Sequence, residues 1–174
     1  MFLRAFKEYS NKKFLNKLLS ERYVNVDNSV IESLGIVFCL EETKDFELFK
    51  NLSEKIKVHF NNIKIIAFSK EKKNDLNTWD MCFHADDFGW KGEIKNTELQ
   101  SFIDKKFDVL ISYYLAENLE LKLITAKSKA KFKIGNLQTD SRLNDLIIKT
   151  NLNEFNVFEN EVFKYLTILN KIKK

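Results

Sequence analysis

Proline is absent from the 174 residues, glycine occurs four times, and cysteine and histidine twice each. Each shortage removes a class of protein. Phosphate-binding loops need glycines so that backbone amides can approach the phosphate at a helix N-terminus. Gly35 opens an apolar run, Gly135 closes another, and Gly89 and Gly92 lie in a long loop. That spacing offers neither GxGxxG nor a Walker loop, so NAD, FAD and ATP binding by the usual fingerprints is excluded and no cofactor is expected. Two cysteines without a secretory signal argue for reduced thiols in a cytoplasm and against a disulfide framework. Cys82 and His84 form a C-x-H pair, but a zinc centre needs three or four ligands, and Cys39 and His59 are far away in sequence, so no metal is expected. Ser112 has no GxSxG elbow around it, which removes the serine hydrolases. No apolar run approaches the roughly 20 residues that span a bilayer. Charge of one sign is also lacking: 29 basic and 25 acidic residues leave +4, so attraction to phosphates must come from local clustering.

What is present suits a folding domain. Hydrophobic residues make up 44% and charged residues 31%, a globular balance, and the length fits a single α/β domain over residues 1–174. Residues 107–135 carry the clearest organisation: an apolar run at 108–112, helical spacing of Leu119, Leu123 and Ala126, and a second strand at 130–134 before Gly135. Such a unit implies parallel pairing. Upstream, 34–40 predicts the first central strand, a helix with Phe46, Phe49, Leu52 and Ile56 inward follows Asp45 as its cap, and 63–68 predicts the next strand. A helix over 96–106 carries Thr97 and Gln100 as a capping box. Residues 146–149 suit a short edge strand and 153–173 a long final helix. The alternation predicts a three-layer Rossmann-like sandwich with a mostly parallel sheet of four or five strands, a basic N-terminal helix and a long C-terminal helix. That first helix, residues 2–23, places Phe2, Phe6, Tyr9, Phe14, Leu15, Leu18 and Leu19 on one side, with a break near Ser10-Asn11.

Three groups of residues are candidates for function. In an open α/β sheet ligands sit beyond the carboxyl ends of the strands, which selects Ser112, Tyr113, Tyr114 and Glu117 as lining residues; the plainer reading is a capping serine and two packed tyrosines. In the loop TWDMCFHADDFGWKG, 78–92, Asp80, His84, Asp86 and Asp87 suit proton transfer or a metal, and Trp79 and Trp90 suit stacking on a planar or sugar ligand. Its plainer reading is an aromatic loop pinned to the sheet, with Cys82 in the loop. The basic side chains Arg4, Lys7, Lys12, Lys13 and Lys17 suit a partner or phosphates. The Lys127, Lys129, Lys131, Lys133 alternation marks an exposed end or a guarded sheet edge.

Two resemblances follow from these segments. NTWDMCF, DDFGWKG, LQSFID, FDVLISYY and LNDLIIKTNL resemble a family of short bacterial proteins known only as a domain of unknown function. Separately, FDVLISYY, a helix and AKFKIG resemble the N-terminal Rossmann-like half of heptosyltransferase-type glycosyltransferases. The second resemblance implies shared architecture. It lacks the Gly-Asp turn of that family after the first strand, where Leu40 to Asp45 stand instead, and the chain has no room for the second, nucleotide-holding domain.

The expected function is therefore that of a cytoplasmic, non-enzymatic interaction module binding a macromolecular partner. Another protein is favoured over RNA or an anionic membrane surface, and a homodimer stays open. The alternative is a small ligand-binding protein or enzyme related to half of a glycosyltransferase.

Overall fold

A computed structural model describes residues 2–24, 27, 29–71, 82–115, 117–136 and 140–173. Six strands among them form one sheet: β1 (Leu34–Cys39), β2 (Ile63–Phe68), β3 (Cys82–Phe83), β4 (Val109–Tyr113), β5 (Phe132–Asn136) and β6 (Leu146–Ile148). Their order is β3-β2-β1-β4-β5-β6, and every neighbouring pair is parallel. The chain winds outward from β1 to one edge, crosses back to β4 and winds to the other. The switch point lies between β1 and β4, the doubly wound arrangement of nucleotide-binding domains. The expected four or five strands become six because β3, two residues long, is too short to show a strand period. Cys82 thus sits on an edge strand and not in a loop.

Five α-helices among the described residues cover the two faces: α1 (Phe2–Ser20), α2 (Glu47–Lys55), α3 (Thr97–Asp104), α4 (Leu119–Lys127) and α5 (Phe155–Ile168). Strand alternation divides the core between them. Leu34, Ile36 and Phe38 of β1 pack with Phe49 and Leu52 of α2 and Phe155, Phe158 and Val162 of α5. Val37 and Cys39 of the same strand pack with Leu99 and Phe102 of α3, Leu121 and Ile124 of α4, and Leu15 and Leu19 of α1. Both faces being covered, β1, β4 and β5 are buried along their whole length, which is why their sequences run apolar without alternating.

Several local expectations are corrected. Asn96, not Thr97, caps α3: its side chain accepts from the Glu98 and Leu99 amides, while Gln100 donates to Asp104 at 2.7 Å. Asp45 accepts from the Glu47 amide at 3.0 Å, so its turn leads into α2, although the helix itself begins beyond Phe46. Gly135 lies inside β5, where a Cβ would stand 2.4 Å from the Asn144 side-chain amide. β5 pairs with a strand on each side, so the lysine alternation does not guard an edge. Each of those lysines has its own task. Lys127 donates to the Gly92 carbonyl, Lys129 pairs with Asp104, Lys131 pairs with Asp108, and Lys133 is buried.

α1 is continuous through Ser10 and Asn11. Asn11 is buried and clasps a turn on the domain body: its Nδ2 donates to the Gly89 carbonyl at 3.0 Å and its Oδ1 accepts from the Gly92 amide at 2.9 Å. Gly92 has φ +71°, and a Cβ there would stand 2.3 Å from the Phe14 ring. Glycine is needed both for the backbone and for the close approach of the helix. Lys127 completes the junction, its Nζ 5.6 Å from the Phe14 ring centre.

Candidate functional site

The carboxyl ends of the central strands are the first place to look, since the connections leaving β1 and β4 lead there to helices on opposite faces of the sheet. Glu41 and Glu42, in the turn after β1, fill the position. Glu42 accepts from the Leu115 amide at 3.0 Å, tying the end of β4 to the β1 turn. Glu41 accepts from the Ser69 hydroxyl at 2.5 Å and the Lys70 amide at 2.9 Å, tying the end of β2, and takes the Cys39 thiol at 3.1 Å. Burial opposes the Glu41 charge, yet the hydrogen bonds from Ser69 and Cys39 hold its pKa below the usual carboxylate range. Where a nucleotide-binding domain offers free backbone amides to a phosphate, this chain offers them to its own carboxylates. Cys39 is no nucleophile there: burial, then the Glu41 hydrogen bond and the neighbouring carboxylates, push its thiol up to about 12, and only a thiolate attacks.

The residues selected from 112–117 divide between core and surface. Ser112, Tyr113 and Tyr114 are fully buried. Thr125 of α4 stands 3.1 Å from the Ser112 hydroxyl and 2.8 Å from the Tyr114 hydroxyl, and itself donates to the Leu121 carbonyl. One hydroxyl can donate once and accept twice, so Thr125 satisfies both neighbours. Tyr113 points to the opposite face, donating to the Leu152 carbonyl at 3.0 Å among Phe49, Phe155 and Phe158. Burial, with the Glu154 charge, pushes its phenol up to about 12. Glu117 is exposed and pairs with Lys122. The two tyrosines are packed, as the plainer reading of the segment has them, and the Ser112 hydroxyl meets the Thr125 hydroxyl of α4.

In the 78–92 loop, Trp79 and Asp80 lie outside the described residues. Phe83 and Phe88 are buried and pin the segment to the sheet. Asp87 accepts from the His84 amide at 2.8 Å and from Asn96 at 3.3 Å, organising a short turn. Trp90 sits in the turn that Asn11 clasps and is half exposed. Among the described residues no three His, Cys, Asp or Glu side chains come together as a metal centre requires.

The third candidate is α1. Successive residues turn by about 100°, so Leu15 and Leu19 share the face of Asn11, whereas Phe2, Phe6 and Tyr9 fall on roughly the opposite face with Lys13. Leu15 and Leu19 are buried, whereas Phe2, Phe6 and Tyr9 are 82%, 61% and 69% exposed. The single apolar side expected from sequence is therefore two faces, one turned to the body and one outward. Lys7 reaches the Ala85 carbonyl at 3.4 Å, Lys12 pairs with Glu8 at 2.6 Å, and Lys17 lies 3.9 Å from Glu21. Arg4 and Lys13 are exposed. The helix holds five cations against one carboxylate, a balance of +4 that equals the net charge of the whole chain; the remainder is neutral in sum.

The fold defines a doubly wound, all-parallel α/β protein with helices on both faces. Residues 7–169 match the family of unknown function DUF6913, and the chain belongs to that family. No curated protein and no solved structure matches it. No helix among the described residues is long and apolar enough to cross a membrane.

Proposed function

We propose that the protein is a cytoplasmic, non-enzymatic interaction module that presents the outer face of α1 to an acidic partner protein. One observation carries this reading: three aromatic side chains and the chain's entire excess of positive charge lie on a helix that is anchored by its other face. A helix held this way keeps its outer face rigid, so docking into an apolar groove lined by carboxylates costs little ordering entropy. The carboxylates that close the sheet end support the non-enzymatic half of the reading. The glycosyltransferase-like alternative keeps only the parallel sheet in its favour, because the turn after β1 carries Glu41 and Glu42 in place of Gly-Asp.

The test is native mass spectrometry of the protein purified gently from its own cells, as wild type and as the triple variant Phe2→Ser, Phe6→Ser, Tyr9→Ser. A stoichiometric acidic protein on the wild type alone supports the reading. Bare protein in both preparations, or a partner retained by the variant, refutes it. Bound RNA or anionic lipid would transfer the same helix to the less favoured partners.

A further inference from the structure

The opposite end of the sheet is open. A cleft of about 560 Å3 lies between the end of α1 and the connection from α4 to β5, bordered by Leu18, Val24, Ala126 and Ala130 with Tyr23 at its side. Its size falls in the range of small-molecule sites, and its walls are more highly charged than is usual for one. Five cations reach it: Arg22, Lys106, Lys129, Lys131 and Lys133. Three are committed to carboxylates: Arg22 to Asp145 at 2.5 Å, Lys129 to Asp104 at 2.6 Å, and Lys131 to Asp108 at 2.9 Å and Asp27 at 3.2 Å. The lining carboxylates are Glu21 and Asp27.

Among the described residues the ammonium groups of Lys106 and Lys133 form no ion pair, although the Lys133 backbone amide donates to Asp145 at 2.8 Å. Lys106 is exposed. Lys133 is buried and donates to the Thr125 and Ala126 carbonyls at 2.7 and 3.2 Å, closing the carboxyl end of α4. An ammonium has three N–H donors, so one remains. We propose that this cleft binds a small phosphate ester with an apolar or planar body, its dianion placed between Lys106 and Lys133. Two unmet cations match the near-double charge of a phosphate monoester at neutral pH, and Tyr23 with the small apolar walls suits its organic part. The site is independent of docking through α1.

Burial, and then the positive charge of Arg22, push the Lys133 ammonium down to about 7 against the pull of Asp145. The other charged groups bordering the cleft are Glu21, Asp27, Lys106, Lys129 and Lys131. A bound dianion favours the charged form, so binding takes up a proton near neutrality and weakens as the pH rises.

Phenyl phosphate is the probe, titrated into the full chain at pH 6.5 and pH 9 while the backbone amides of Tyr23, Ala130 and Lys133 are followed by NMR. The expected result is saturable binding that involves these amides, weaker at pH 9. Lys106→Ala, a surface change, should weaken it by roughly tenfold, the scale of one charged hydrogen bond. Lys133→Met should abolish the pH dependence. Shifts spread over the α1 lysines, equal binding of phenol, or affinity unchanged by Lys106→Ala would overturn the assignment.

Discussion

Two halves of one helix have opposite fates. In the second half of α1, Asn11, Leu15 and Leu19 are buried against the turn at 89–92 and against α4. In the first half, Phe2, Leu3, Phe6 and Tyr9 offer as much apolar surface and leave most of it in water. Composition does not separate the halves; angular position does, because each set follows a helical spacing but the two sets point about 180° apart. An exposed, aromatic and cationic face on a helix whose other face is fixed needs an explanation that folding does not supply.

The sharpest way to break the contrast is to cut the anchor. Leu15→Ala should lower unfolding free energy by about 2–4 kcal/mol, the range for a buried leucine, read by urea denaturation. Asn11→Ala should cost somewhat less, about 1–3 kcal/mol, because it leaves the Gly89 carbonyl and Gly92 amide buried without their partner. Its specific signature is faster hydrogen exchange of the Gly92 amide. On the outer face, Phe2→Ser, Phe6→Ser and Tyr9→Ser should each change stability by no more than about 0.5 kcal/mol. Losses of 2 kcal/mol there would mean that the outer face is core.

The two ends of the sheet differ in the charge they bury, a lysine at one and a carboxylate at the other. Lys133 titrates at about 7 in the fold and near 10.4 when unfolded. Between those values the unfolded chain binds more protons, so stability rises with pH from about 7 toward 10. Lys133→Met should remove that rise and gain most, relative to wild type, at pH 6. Denaturation midpoints of the two proteins at pH 6 and pH 9 measure it. At the carboxyl end, Glu41→Gln keeps the shape but gives up the charge that holds the Ser69 hydroxyl and Lys70 amide. A loss of about 1–2 kcal/mol is expected, the scale of a hydrogen bond to a charged group.

Much of the sheet was legible because its strands are buried on both faces: 63–68 coincides with β2, and the runs at 34–40 and 108–112 fall within one residue of β1 and β4. β3 was not legible, since two residues carry no period. Asn11 misled for a physical reason. A polar residue in mid-helix usually signals a break or an exposed position, and its role here depends on a turn 78 residues away. Ser112, Tyr113 and Tyr114 were placed correctly at a strand end, but only packing shows that Thr125 and Leu152 consume their hydroxyls. Lys133 looked like one tooth of a charged edge because pairing of β5 on both sides is invisible to its neighbours. The charge concentration on α1 was readable in full. The expectation of one apolar side on that helix fails because Phe2, Phe6 and Tyr9 fall roughly 180° from Leu15 at about 100° per residue, and only burial shows which set meets the body.

The most direct test of the central claim is photo-cross-linking in the source cells, with a photoreactive residue at position 6 and, as a control, at exposed Glu98 on α3. One discrete protein adduct is predicted from position 6 and none from position 98, with the adduct lost when Lys13 is changed to Glu. No adduct from position 6, or one that survives the charge reversal unchanged, would contradict the account.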